Sequence, residues 1–200
     1  MKNYRETDPE FAAICERFAF EEVPNEPGQE LEPVTRHLAI LAALIGCQGA
    51  EAFKYALGRA LDEGLTPVMA KEVVYQAADY LGLGRMLPFL DAANEVLTGR
   101  GGHMLEAWKA GHINRWLAAN CFGDYYTRGG LDLRQRELIT FCFLAAQGGC
   151  EPQLIAHARG NINMGSDPAF LRRVVSQCLP YIGYPRSLNA LSAIDKAAEG

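Results

Sequence analysis

The C-terminal half of the chain spaces an acid, a thiol and an imidazole as a reactive site would. The stretch 136–161 reads RELITFCFLAAQGGCEPQLIAHARGN, with Glu137 on one helical segment and Cys150 and His157 on the next. Gly148-Gly149 breaks the first segment, and Pro152 suits the first turn of the second, so Cys150 falls at a helix start. Unpaired N–H groups and the positive end of the helix dipole favour a thiolate there. Glu151 beside it opposes that shift if it turns toward the sulfur. Cys150 and His157 are seven residues apart. That is a rise of roughly 10 Å, so the two share a face without an easy direct hydrogen bond. Glu137, on the helix returning across the glycine turn, is expected to bridge them by accepting from the imidazole and taking the thiol proton. Cys121, in Asn120-Cys121-Phe122-Gly123-Asp124, is the candidate second sulfur. Cys47, Cys142 and Cys178 read as small core residues.

These residues lie in the second copy of an internal repeat. Val73-Val74-Tyr75-Gln76 returns as Val174-Val175-Ser176-Gln177, and Tyr80-Leu81-Gly82-Leu83-Gly84-Arg85 as Tyr181-Ile182-Gly183-Tyr184-Pro185-Arg186. Nine of the twenty positions 73–92 are identical at this offset, where composition alone gives about one or two. Arg36-His37-Leu38 aligns with Arg136-Glu137-Leu138, and Gly49-Ala50-Glu51 with Gly149-Cys150-Glu151. In the first copy His37 stands at the Glu position, Ala50 at the Cys position, and Ala56 or Leu57 at the His position. The expected division is 1–100, a repeat without the site residues, and 101–200, a repeat that carries them. Arg85 and Arg186, and Gln76 and Gln177, persist in both copies and read as structural.

Apolar residues at spacings of three and four predict helices over 34–45, 50–63, 67–81 and 87–97, and again over 133–146, 152–163, 168–179 and 186–198. Helices over 8–22 and 104–126 lead the two copies, with Trp108 and Trp116 on one face of the second. Gly64-Leu65-Thr66-Pro67 and Gly165-Ser166-Asp167-Pro168 are matching stop-and-restart signals. No alternating strand appears, so the fold is expected to be all-α, a duplicated helical bundle packed face to face.

A net charge of −5 and the absence of a basic run argue against nucleic acid or an acidic membrane as partner. The N-terminus has no signal-like apolar stretch, and the apolar run 38–47 is too short to span a bilayer. A cytoplasmic location with reduced thiols is expected. No Cys-x-x-Cys pair or zinc-finger spacing occurs, so neither a metal nor an organic cofactor is expected.

The Glu…Cys…His spacing resembles the carboxymuconolactone decarboxylase family, which includes the alkylhydroperoxidase-D-like proteins. The family pattern has a Glu, then Cys-x-x-Cys at the next helix start, then a His four residues on. Glu137, Cys150 and His157 match the Glu, first-Cys and His positions, and the segment 183–191, GYPRSLNAL, is similar to the family's Gly-x-Pro-Arg-x-x-Asn. Gln153 replaces the second cysteine. The resemblance implies a thiol-dependent oxidoreductase of peroxidase type. Cys150 would be the nucleophile, Glu137 the base and His157 the orienting residue, with Cys121 or an outside thiol reductant resolving a sulfenic acid. Two alternatives are a cofactor-independent decarboxylase acting on a carboxylated lactone or related ring, and a non-catalytic helical assembly protein. The family's trimers and hexamers imply a homo-oligomer, with a duplicated chain giving a trimer.

Overall fold

Helix stops and starts in the sequence set where the chain turns. The computed structural model describes residues 4–99 and 125–199, and every regular element among them is helical. Helices α1 (Tyr4–Thr7) and α2 (Pro9–Arg17), a π-helical turn (Phe18–Glu22) and α3 (Val23–Asn25) lead into the first repeat. That repeat holds α4 (Pro33–Gly46), α5 (Ala50–Asp62), α6 (Pro67–Leu81) and α7 (Leu83–Thr98). The second holds α8 (Leu133–Gln147), α9 (Glu151–Asn163) and α10 (Pro168–Ala198). Gly183, at φ 76° and ψ 167°, is non-helical within α10. It divides α10 where Gly82, at φ 78° and ψ 157°, separates α6 from α7. Four helices therefore answer four, and the fold is an all-α duplicated bundle.

The caps follow the sequence. The Thr66 side chain accepts from Met69 N, Asp167 from Phe170 N, and Asp132 forms a capping box with Gln135. Each of these ties down amide groups that the first helical turn cannot satisfy internally. Two starts differ from expectation. The last helix of each repeat begins at residue 83 or 184, not at 87 or 186, because one glycine with positive φ completes the break. Pro185 then lies in the first turn, where a missing N–H costs nothing. The N-terminal helix runs past residue 22 through its π-turn. Most of the helix expected over 104–126, with Trp108, Trp116 and Cys121, lies outside the described residues, as does the expected boundary at residue 100.

The two repeats share one core. Every residue of 37–46 in α4 and of 138–146 in α8 is buried, the pattern of helices enclosed on all sides. These two helices make the most extensive contact between elements. Gly46 sits where they cross: a Cβ there would come 2.7 Å from Phe143 O and 2.8 Å from the Ala146 Cβ. Around this pair the third helices exchange. α6 packs on α8, and α10 packs on α4. Phe53, Leu57, Val73 and Phe89 of one repeat therefore join Ile139, Phe141, Leu171 and Ile194 of the other in a single buried cluster. Each large apolar side chain so enclosed contributes about 1.5–3 kcal/mol.

One buried polar strut crosses the same seam. Arg136, with no exposed surface, donates through Nη2 to Glu72 Oε2 at 3.1 Å and to Arg128 O at 2.7 Å, and through Nη1 to Gln76 Oε1 at 3.1 Å. Arg128 closes a second bridge to Glu72 Oε1 at 2.8 Å. Gln76 Nε2 returns a bond to Arg136 O at 2.8 Å, while Gln177 Nε2 binds Val23 O and Gln29 O. Both repeated glutamines thus donate to backbone carbonyls of other elements.

Candidate active site

The exchange of third helices brings side chains of both repeats to one place. Glu137, on the second turn of α8, and His157, on α9, meet with Nδ1 of the imidazole 2.6 Å from Oε1 of the carboxylate. The second carboxylate oxygen accepts from the Tyr126 hydroxyl at 3.2 Å. That hydroxyl lies 3.2 Å from the hydroxyl of Tyr80, on α6, and 3.4 Å from Thr140 Oγ1. Gln76 Nε2 donates to Thr140 Oγ1 at 2.7 Å. The Tyr80 ring meets the His157 ring edge-on at 5.5 Å and stacks on Phe143 at 6.5 Å. The result is a chain of hydroxyls ending on a carboxylate that holds an imidazole.

Local backbone chemistry fixes the pair. A Cβ on Gly160 would collide with Glu137 Oε1, so only glycine lets the carboxyl lie against α9. Asn161 Nδ2 donates to Glu137 O at 3.0 Å and to His157 O at 2.9 Å, stitching the two helices at the level of the pair. The carboxylate's acceptance from Nδ1–H places the lone pair of the neutral ring on Nε2. Nε2 has no hydrogen-bond partner among the described residues, and the His157 side chain keeps 24% exposure against 12% for Glu137. The imidazole therefore has the Glu137 carboxyl behind Nδ1 and no protein partner on Nε2 among the described residues.

Cys150 stands elsewhere. It is the N-cap of α9, as expected, but its thiol donates to Leu144 O at 3.4 Å and bonds the Gln147 side chain, not Glu137 or His157. Burial raises its pKa above the ordinary thiol value, the Glu151 charge raises it further, and Gln147 only partly offsets them. Glu137 meets the imidazole as expected, while the hydrogen bonds of the sulfur go to Leu144 O and Gln147. Cys121, the candidate second sulfur, falls outside the described residues. Cys142 and Cys178 are buried, and Cys47 is half-buried with its thiol directed at Leu44 O and Tyr181 O. Among the described residues no group of three or more His, Cys, Asp or Glu side chains could hold a metal ion.

Sequence reasoning missed Tyr80, Tyr126, Thr140 and Gly160. Tyr80 had a signal, since a tyrosine kept in both copies inside an apolar helix implies a use for its hydroxyl. Gly160 had one too: glycine inside a helix costs about 1 kcal/mol against alanine and so marks a close approach. Tyr126 and Thr140 had none, because their partners are distant in sequence.

The carboxymuconolactone decarboxylase family model matches the chain twice, over residues 9–95 and 112–196. No curated protein matches it. The chain belongs to the carboxymuconolactone decarboxylase family, as a member with two tandem repeats.

Proposed function

We propose that this family member is an acid–base catalyst working through His157 and Glu137, and that it decarboxylates a small carboxylated lactone or related ring without an organic cofactor. The observation that carries this reading is the 2.6 Å bond from Nδ1 of His157 to Glu137, with Nε2 unpartnered among the described residues. In that reaction the substrate carboxylate leaves as carbon dioxide, and the electron pair of the broken C–C bond stays on the ring's conjugated system. Nε2 of His157, having first taken a proton from solvent, then supplies that proton to the carbon. Glu137 stabilises the imidazolium meanwhile, and Tyr126 and Tyr80 hold the carboxylate in place. The reading also takes 101–200 as the repeat bearing the site and 1–100 as its structural partner. No described helix is long and apolar enough to cross a membrane, and a reducing compartment such as the cytoplasm suits the free thiols.

Turnover of a carboxylated muconolactone tests it. His157→Asn and Glu137→Gln should each lower kcat by about 10²–10⁴-fold, while Cys150→Ser retains most activity. Loss of turnover in Cys150→Ser with Glu137→Gln unaffected would sink the proposal.

A second reading, thiol peroxidase chemistry on Cys150 with an outside reductant, is favoured by one feature. The half-exposed sulfur caps the helix that carries His157. Against it stands the raised thiol pKa. Alkylation by iodoacetamide decides between them. An inert thiol speeds up about tenfold per pH unit through pH 8, whereas an activated one is already at its plateau.

A further inference from the structure

The repeat exchange that builds the Glu137–His157 site also builds its counterpart in the N-terminal repeat, with different chemistry. His37 occupies the place of Glu137, Ile40 that of Thr140 and Tyr181 that of Tyr80, and of Ala56 and Leu57 it is Ala56, the seventh residue of α5, that matches His157, the seventh of α9. These four line one cavity with Arg36 and Arg59. Its volume is about 10 Å³, room for one water or one ligand oxygen.

The groups around this cavity are mostly donors, and Glu63 and the Tyr55 hydroxyl, which bonds Arg59, accept from them. Glu63 is the one carboxylate they share. It accepts from Arg36 Nη2 at 2.6 Å, Arg59 Nη2 at 3.1 Å and His37 Nε2 at 2.9 Å. Burial lowers the His37 pKa despite that bond, so the ring is neutral at pH 7. Two guanidinium charges therefore face one carboxylate. The nearby acids are engaged elsewhere, Glu16 by Arg5 at 2.9 Å and Glu32 by the amides of Val34 and Thr35. Arg36 Nε is buried without an acceptor, which costs about 1–3 kcal/mol or more for a charged donor. The Tyr181 hydroxyl makes no hydrogen bond among the described residues. Burial pushes its pKa up to about 12, so it remains a donor at neutral pH. Arg59 is held flat over the Phe20 ring, 4.3 Å from its centroid. The contrast with Arg136 is informative. It too leaves Nε unpaired, but it is fully enclosed and spends its other nitrogens on Glu72, Gln76 and Arg128 O.

We propose that this cavity is a second binding site, which takes the carboxylate group of a small organic acid. One carboxylate oxygen sits among Arg36 Nε, Arg59 and the Tyr181 hydroxyl, and the rest of the acid extends toward the opening. A single negative charge balances the single excess guanidinium, and the room suits one oxygen better than a tetrahedral dianion. With alanine where the C-terminal repeat has its histidine, the site binds and does no acid–base work. The first repeat thus keeps a pocket at the equivalent place, changed from a base to an anion receptor.

The test is a titration of the full chain with sodium acetate, following the Arg36 and Arg59 Nε–H signals by NMR against sodium chloride at equal ionic strength. A saturable acetate-dependent shift of Arg36 Nε–H that chloride does not produce is expected. Tyr181→Phe, which keeps the ring packing, should weaken binding by about tenfold, the worth of one hydrogen bond to a charged group. Glu137→Gln should leave the titration unchanged, which separates this site from the catalytic proposal. No shift, a shift tracking ionic strength alone, or undiminished binding in Tyr181→Phe overturns the assignment, leaving the cavity to a water. Tighter binding of orthophosphate than of acetate overturns the carboxylate class.

Discussion

Gly160 shows how one missing methyl positions the Glu137–His157 pair. Replacing glycine by alanine inside a helix normally stabilises it by about 1 kcal/mol, since alanine loses less backbone entropy. Here the added Cβ lands on Glu137 Oε1. Gly160→Ala should therefore reverse the usual sign, lowering unfolding free energy by about 1–3 kcal/mol, the cost of overpacking. It should also lower kcat more than KM, because the displaced carboxylate no longer sets the His157 tautomer. Urea denaturation and steady-state kinetics check the two parts, and a more stable variant with unchanged kcat would remove Gly160 from the positioning role. At this scale the sequence identified Glu137 and His157 as partners because one glycine turn and one helix separate them. For Cys150 the helix-start position was legible, while the hydrogen-bond partners of its sulfur, Leu144 O and Gln147, were not.

Between elements, equivalent helices have been put to different electrostatic uses. On α8, Arg136 is sealed against Glu72 of α6, while on α4 the matching Arg36 shares Glu63, the C-cap of α5, with His37 and Arg59. Helix boundaries and caps could be read from Thr66, Asp167 and the glycine stops, since those signals are local. The partners of Arg36 and Arg136 could not, because ion pairs across elements have no spacing rule. The His37 cluster carries a pH dependence. Burial holds the His37 pKa in the folded state below its ordinary 6.5, although Glu63 pulls the other way. Above pH 6.5 both folded and unfolded states leave it neutral, and the stability is fully present. As pH falls below 6.5 the unfolded chain takes up the proton first, so stability declines until the folded pKa is passed. Glu63 adds to the decline below its ordinary 4.5. Burial raises its pKa, but the bonds from His37 and Arg59 outweigh that and hold it low. His37→Gln keeps a donor near Glu63 and cannot titrate. It should flatten the loss of unfolding free energy between pH 6.5 and 5 relative to the parent chain, as measured by urea midpoints across that range. Parallel pH profiles for the two chains would show that His37 is not the titrating group.

For the molecule as a whole, duplication has made two repeats that depend on each other. The α4–α8 crossing lies at the centre of one continuous core, and each third helix completes the other repeat's pocket, Tyr80 for Glu137 and Tyr181 for Arg36. The 73–92 identity revealed the duplication, but identity along a chain does not say which helix of one copy lies on which of the other. That pairing is set by where the close approaches are possible, and Gly46 marks the main one. Gly46→Val would drive side-chain carbons into Phe143 O and Ala146, and neither a backbone carbonyl nor a buried helix can move aside cheaply. The expected cost is about 1–3 kcal/mol or more. Because the core is shared, the loss should appear as one earlier cooperative transition, with circular dichroism and the His157 imidazole signals moving together. Activity should fall as well, although residue 46 belongs to the repeat without the Glu137–His157 pair, because the pair rides on α8 and is read against Tyr80 of α6. If the variant instead unfolds in two steps, with the His157 signals keeping the parent midpoint, the repeats are independent units and the exchange of tyrosines does not couple them.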